Sequence, residues 1–190
     1  MSLYVLDPGH GGADSGACHN GIVETLFGYR VCEGAANVLR ARGHSVLFTH
    51  VPTEDPSHHD RAQLAVDVDA VGTISVHVNS GAAGEHGPLA FYNAGDVAGM
   101  RAAKTMIRGL NRRGCYVDSR SRRVWTMQSQ VHVPHPAEWT RRVWYCIEQH
   151  RRSVALLECE YCSDAESARW LRNNVTLLTE TVADGAEALG

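Results

Sequence analysis

The chain has 190 residues, 44% of them hydrophobic and 21% charged, which suffices for one domain with a substantial core and is too short for two ordinary ones. A net charge of −3 gives no general case for nucleic acid binding. No apolar run approaches the roughly 18 residues that a membrane helix needs, so no membrane insertion is expected.

The opening residues, Met1-Ser2-Leu3-Tyr4-Val5-Leu6-Asp7, lack a basic start, a long apolar stretch and a small-residue cleavage site. Synthesis in the cytoplasm without a signal peptide is therefore expected. Leu3 to Leu6 reads as a buried strand that stops at Asp7-Pro8-Gly9. Val23, Phe27, Val31, Ala35, Val38 and Leu39 recur at helical spacing and predict a helix from Val23 to Arg42, ended by Gly43. Ser45 to Thr49 is the next strand, which makes a β-α-β unit with a parallel pair.

A second helix is predicted around Asp60 to Val68, then strands over Val71 to His77 and Leu89 to Tyr92, and a helix over Val97 to Leu110. Periodicity fails between Cys115 and Val133, where a long loop or edge strand is expected. Ala137 to His150 reads as helical, Val154 to Cys159 as a core strand, Asp164 as the cap of a helix over Ala165 to Leu171, and Asn174 to Leu189 as a last helix. The alternation predicts an α/β fold. It should be a single domain over residues 1–190, with an open, twisted, mostly parallel sheet of about five to six strands and helices on both faces.

Charge is unevenly spread. Residues 1–100 hold 4 arginines against 11 acids, a net of −7, while residues 101–190 hold 14 basic residues against 10 acids, a net of +4. Arg101, Lys104, Arg108, Arg112, Arg113, Arg120, Arg122 and Arg123 face only Asp118 within their stretch. Such a run suits an anionic surface, but a solvated helix face and loop is the simpler reading. The six cysteines read as thiols, and Cys159-Glu160-Tyr161-Cys162 closes a late strand instead of opening a helix as a redox motif would.

Three side chains suited to zinc stand far apart: His10 in Asp7-Pro8-Gly9-His10-Gly11-Gly12, Glu24 in Gly21-Ile22-Val23-Glu24, and His77 in Ser75-Val76-His77-Val78-Asn79. In a parallel sheet, ligands gather at the carboxyl ends of strands, where His10 and His77 fall, and a helix starting near the same edge can bring Glu24 to them. Two imidazoles and a carboxylate leave a tetrahedral Zn²⁺ one open position, as a hydrolytic site requires. Glu158, after Val154-Ala155-Leu156-Leu157, is the candidate general acid and base. Taken singly, each has a plainer role, a hydrogen-bonded histidine at a strand end or an acid in a first helical turn.

Together, Leu6-Asp7-Pro8-Gly9-His10-Gly11-Gly12 with Asp14-Ser15-Gly16-Ala17, Glu24, Ser75-Val76-His77-Val78-Asn79-Ser80, and Leu156-Leu157-Glu158 followed by Ser163-Asp164 and Glu166 resemble the zinc-dependent N-acetylmuramoyl-L-alanine amidases of the amidase-3 type. The resemblance implies that His10, Glu24 and His77 bind one Zn²⁺ and that Glu158 is catalytic. It implies peptidoglycan as substrate, cut between the lactyl group of muramic acid and the L-alanine of the stem peptide. Asn79 and Arg61 are candidate substrate contacts, with a plain salt bridge as the other reading of Arg61.

Two departures from that pattern stand out. Cys159-Glu160 replaces an apolar residue and glycine, which sets a second carboxylate on the strand face of Glu158 and makes Glu160 a competitor for its role. His77-Val78-Asn79 replaces His-Ala-Asn. The short stretch between Ser80 and the next strand leaves no room there for the site-blocking helix of some bacterial members, so no activator protein is expected, and the protein is expected to be a monomer. No linker or repeat suggests a separate wall-binding domain. A small leaderless amidase suits a phage endolysin reaching the wall upon lysis, with a sporulation autolysin as the other setting. Competing functions are a zinc peptidase or deacylase for another amide and a non-catalytic wall-binding module. His58, His59, His86, His132 and His135 are expected to be exposed, and Trp125, Trp139, Trp144 and Trp170 to serve packing before sugar stacking.

Overall fold

A computed structural model describes residues 1–82, 85–112, 124–126 and 146–190, the side chains of Arg112 and of 124–126 excepted. In chain order the elements are β1 (Leu3–Pro8), β2 (Cys18–His19), β3 (Ile22–Val23), α1 (Glu24–Ala41), β4 (Ser45–Phe48), α2 (His58–Asp67), β5 (Gly72–Asn79), β6 (Leu89–Tyr92), α3 (Val97–Arg112), β7 (Val124–Thr126), β8 (Ser153–Tyr161), α4 (Ala165–Asn173) and α5 (Val175–Glu187). Six strands form one sheet in the order β4-β1-β5-β8-β6-β7. All neighbours are parallel except β6 and β8, which run antiparallel. The expected open α/β sheet is thus present, with β7 as its edge strand inside the stretch that lacked periodicity.

Central strands buried on both faces need apolar residues at nearly every position, and β1, β5 and β8 supply them. Leu6, Ile74, Val76, Ala155 and Leu157 point to one face and join the main core with Val31, Ala35 and Leu39 of α1, Met106 of α3 and Val182 of α5. Alternate residues point the other way: Val5 packs on Ala65 of α2 and on Ala70, while Val154 and Leu156 pack on Ile147 from a helical turn at residues 146–148. Helices therefore cover both faces.

Local signals explain most boundaries. α1 breaks at Gly43, whose φ of 86° lies in the left-handed region that glycine enters without a steric penalty. Asp164 caps α4 by accepting from the Ser167 amide at 2.8 Å. Val23, read as the first helical residue, instead ends β3 and leads into α1 in an extended conformation. The β2–β3 hairpin was not anticipated, although Asn20-Gly21, both at positive φ, is the pair such a tight turn prefers. Most of the expected helix over residues 137–150, together with His132, His135, Trp139 and Trp144, lies outside the described residues.

Arg101, Lys104 and Arg108 line the exposed side of α3, which accords with a solvated face. The rest of the basic run lies outside the described side chains. The five described cysteines are free thiols, and Cys159 and Cys162 are both buried. Trp170 packs against the main core. His58 and His86 depart from expectation, because both are half-buried, His58 with Nε2 4.0 Å from the Cys146 thiol, whereas His59 is exposed.

Candidate active site

β1 and β5 lie side by side with Pro8 opposite Val76, so the loop after β1 passes the end of β5. There Gly9 donates to the Val76 carbonyl at 2.9 Å. His77 is in register with Glu158 on β8. Helix α1 is drawn against the same end because Gly28 has no Cβ, which would sit 3.0 Å from the Val76 carbonyl oxygen. One local contact, the absence of a methyl group, thereby brings Glu24 within reach of both histidines.

His10 Nε2 lies 3.1 Å from Glu24 Oε2, and His77 Nδ1 lies 3.0 Å from Glu24 Oε1. The two imidazoles stand 5.2 Å apart at 72°. Ligand atoms about 2.0–2.2 Å from a shared tetrahedral ion lie about 3.3 Å from one another. The ligand atoms of these three residues all fall within 4.8 Å of one another, and among the described residues this is the group able to hold a metal ion.

The surroundings fix each candidate ligand. The other His10 nitrogen, Nδ1, donates to Asp14 Oδ2 at 2.8 Å, the carboxylate–histidine pairing that orients a ligand ring and leaves Nε2 for the ion. Glu24 accepts the Ala17 amide on Oε2 at 2.8 Å and the Val78 amide on Oε1 at 3.0 Å. Gly16, at φ 63°, keeps the space clear, since a Cβ there would come within 2.5 Å of both Glu24 and His10.

His10 itself sits at φ 61°, an uncommon conformation for a residue with a Cβ. Its carbonyl is held by His50 Nε2 at 2.6 Å and by Arg61 NH2 at 3.0 Å. Arg61 is 4% exposed and spends its other donors on Asp7, Asp55 and the carbonyls of Pro56 and Pro8. The guanidinium expected to meet substrate is thus turned into the protein, where it holds the His10 loop. Burial opposes ionisation of Asp7, but Arg61, with hydrogen bonds from Ser75 and Thr49, keeps its carboxyl below the ordinary range.

Burial works against a charge on His10, yet Glu24 and Asp14 outweigh it and lift its pKa to about 9. His77 is raised in the same way, against burial, by Glu24. Burial disfavours the Glu24 carboxylate, but the two imidazoles keep it ionised far into acid. Positive charge is therefore favoured at the point where the three side chains meet.

Glu158 faces the same cavity, about 360 Å³ in volume, whose wall also includes Asn79, Ser80, Cys146 and Leu156. Glu158 is 6% exposed, and among the described residues its buried Oε2 has no hydrogen-bond partner. Burial, only partly offset by His77 and His10, pushes its pKa up to about 7. Glu160 has a different fate: Oε1 accepts the Gly87 amide at 2.6 Å and the Tyr161 amide at 3.0 Å. The β5–β8 register slips between His77 and Asn79, so that Asn79 faces Tyr161 and β8 holds one extra residue at Cys159-Glu160. This bulge places Glu160 away from the cavity wall. Asp14 was quoted in the opening motif without a role, and its acid among glycines was the available signal. Cys146 carries no signal in the sequence, because only the tertiary fold brings it to the wall.

Comparison with known proteins bears on the same residues. The family model described as N-acetylmuramoyl-L-alanine amidase matches residues 5–188. A sporulation-specific N-acetylmuramoyl-L-alanine amidase of Bacillus subtilis (strain 168) is 35% identical over 83 residues, 43% of this chain and 32% of the relative. The chain spans less than half the length of the curated relatives it matches. Among solved structures, the Ami1 amidase of Mycobacterium smegmatis superposes with a TM-score of 0.81 at 16% identity, covering 100% of this chain and 97% of that one. The catalytic domain of the CwlV amidase from Bacillus (Paenibacillus) polymyxa var. colistinus gives a TM-score of 0.76 at 21% identity, with 97% and 96% covered. The family match takes in most of β1 and all of β5 and β8 with every residue of the cavity described above, and by it the chain belongs to the N-acetylmuramoyl-L-alanine amidase family.

Proposed function

We propose that the chain is a zinc-dependent N-acetylmuramoyl-L-alanine amidase that acts on peptidoglycan, hydrolysing the amide between muramic acid and the L-alanine of the stem peptide. The observation that carries this reading is a buried carboxylate, Glu158, whose Oε2 has no partner among the described residues, on the wall of a cavity that it shares with two histidines and a glutamate. That donor set fits zinc, with His10 Nε2, His77 Nδ1 and a Glu24 oxygen as its ligands. When bound, the ion supplies Lewis acidity at the carbonyl and lowers the pKa of water to about 7.

The protein's own groups carry the proton. Glu158 accepts it from the attacking water and delivers it to the leaving nitrogen, so the C–N bond breaks to give a lactyl carboxylic acid and a free L-alanine amine. A pKa of about 7 suits a group that must both take up and release a proton near neutrality. Asp14 and the Ala17 and Val78 amides hold the candidate ligands in place, while Arg61 and His50 hold the His10 backbone.

We assign residues 1–190 to one catalytic unit that works as a monomer. No helix occurs among the described residues between β5 and β6, which supports a cavity that needs no activator protein. Among the described residues no helix is long and apolar enough to cross a membrane. Release to the wall during lysis is the setting we assign, as a phage endolysin or, as the Bacillus subtilis relative favours, a sporulation enzyme.

Metal analysis of the purified protein, coupled to mass spectrometry of digested sacculi, tests the ion and the bond together. One zinc per chain and new L-alanine amino termini with intact glycan are expected. Cleavage within the peptide or removal of an acetyl group would transfer the same residues to a peptidase or deacylase, and zinc-loaded protein that binds sacculi and releases no amine would leave a wall-binding module.

A further inference from the structure

Asn79 follows His77 by two residues at the end of β5 and lies in the wall of the Glu158 cavity. Its side chain is 3% exposed. The orientation of the amide is settled by its neighbour, because Oδ1 accepts the Ser80 N–H at 2.8 Å. The Nδ2 group must then point the other way, and among the described residues it has no hydrogen-bond partner. A buried amide that leaves its N–H groups unpaired forfeits about 1–3 kcal/mol. Orphaned donors of this kind are rare in folded proteins and need a reason.

The sheet supplies the placement. Residues 77 and 79 share a strand face, so the candidate ligand and the orphaned amide look into the same space. The register slip opposite them seats Tyr161, not Glu160, across from Asn79, and the Cys162 amide donates to the Asn79 carbonyl at 2.8 Å. Backbone and side chain are both tied down, so the free N–H groups are held ready before any substrate arrives. Among the described residues of this cavity two buried groups have an unpaired atom, Glu158 Oε2, which can accept a proton, and Asn79 Nδ2, which can only donate one to a hydrogen bond.

Resting on the amidase reading above, we propose that Asn79 donates a hydrogen bond from Nδ2 to the oxygen of the scissile lactyl carbonyl as that oxygen gains negative charge. Donor and general base then act on opposite parts of one reacting group, Glu158 on the water and later the nitrogen, Asn79 on the oxygen. The donor is fixed in advance, so no reorganisation is needed at the moment of reaction.

The test uses a soluble N-acetylmuramoyl tripeptide and the zinc-loaded full chain, with Asn79→Ala and Asn79→Asp. The Asp variant keeps the volume and an acceptor for the Ser80 amide, but replaces the donors with a carboxylate whose charge also opposes the developing oxyanion. Loss of one such donor is expected to lower kcat about 10²–10³-fold with KM little changed, in both variants. In Asn79→Ala, zinc content should stay at the wild-type value and the pH profile should keep its position. Should Asn79→Ala fail to fold, Asn79→Leu, neutral and of similar volume, takes its place. The proposal is overturned if either folded, zinc-loaded variant keeps kcat within about threefold, if KM rises in place of the fall in kcat, or if activity falls only in step with lost zinc. Wild-type protein that leaves the tripeptide intact would instead count against the amidase reading.

Discussion

Replacing Glu158 by glutamine should stabilise the metal-free protein while removing its activity, and the two effects share one cause. The carboxyl is raised from an ordinary value of 4.5 to about 7, chiefly because burial disfavours its ionised form. At about 1.4 kcal/mol per pH unit, this gap makes the ionised group cost the fold about 3 kcal/mol. The cost is absent below pH 4.5, where folded and unfolded chains both carry the proton. It grows as the unfolded chain ionises first, and is complete once the pH passes about 7. Glutamine never ionises, and its own unpartnered N–H takes back about 1 kcal/mol. A net gain of about 2 kcal/mol raises Tm by about 4–8 °C in a domain of this size. Melting curves of both chelator-stripped proteins at pH 8.5 and pH 5 check this: a clear gain at the higher pH, and none or a small loss at the lower, are expected. Zinc-loaded Glu158→Gln should keep its metal and lose about 10²–10⁴-fold in turnover. A variant no more stable than wild type at pH 8.5, or a difference indifferent to pH, would show that Glu158 is not the strained, unpaired group described here.

Other outcomes follow from the same contacts. Asp14→Asn should weaken zinc binding about 10–100-fold in competition with a chromogenic chelator, because the imidazole of His10 loses its anionic support. Glu160→Gln should retain activity, since an amide oxygen can still accept the Gly87 and Tyr161 N–H groups, whereas Glu160→Ala should cost about 1–3 kcal/mol in urea unfolding for each stranded amide. Loss of turnover in a well-folded Glu160→Gln would return the catalytic role to that residue. Arg61→Met should destabilise by about 3–5 kcal/mol by stranding buried Asp7, and should lower zinc affinity as the His10 loop loosens. Its deficit should shrink in acid, where Asp7 takes up a proton. Zinc must displace the proton from His10, whose pKa is about 9 in the metal-free site, so zinc added at pH 7 in weak buffer should release protons and affinity should climb as the pH rises towards 9.

The regular elements were legible wherever burial imposes a pattern. β1, β5 and β8 are central strands and announce themselves as continuous apolar runs, and α1 does so through its helical spacing. The β2–β3 hairpin was missed because each strand is two residues long and shows no periodicity, although Asn20-Gly21 marked its turn. Reading Val23 as helical erred by one residue at a boundary, where the extended backbone belongs to the hairpin. In the site, His10, Glu24, His77 and Glu158 could be picked out because strand ends and glycine-rich turns are where a parallel sheet gathers polar side chains.

Residue types and spacing determined which groups were available, an α/β chain with two histidines and two carboxylates at the right kinds of place. Proximity was decided by the fold alone, through Gly28 letting α1 close on β5 and the register that sets His77 beside Glu158. The choice between Glu158 and Glu160 likewise needed the bulge in β8, since alternation along a strand treats the two alike while backbone amides claim one and leave the other bare. Arg61 shows the same limit from the other side. A cation near a site reads as a substrate contact until burial and five protein acceptors show its donors already spent. Sequence separation carries no information about these distances, and hydrogen-bond satisfaction is a property of atoms in space.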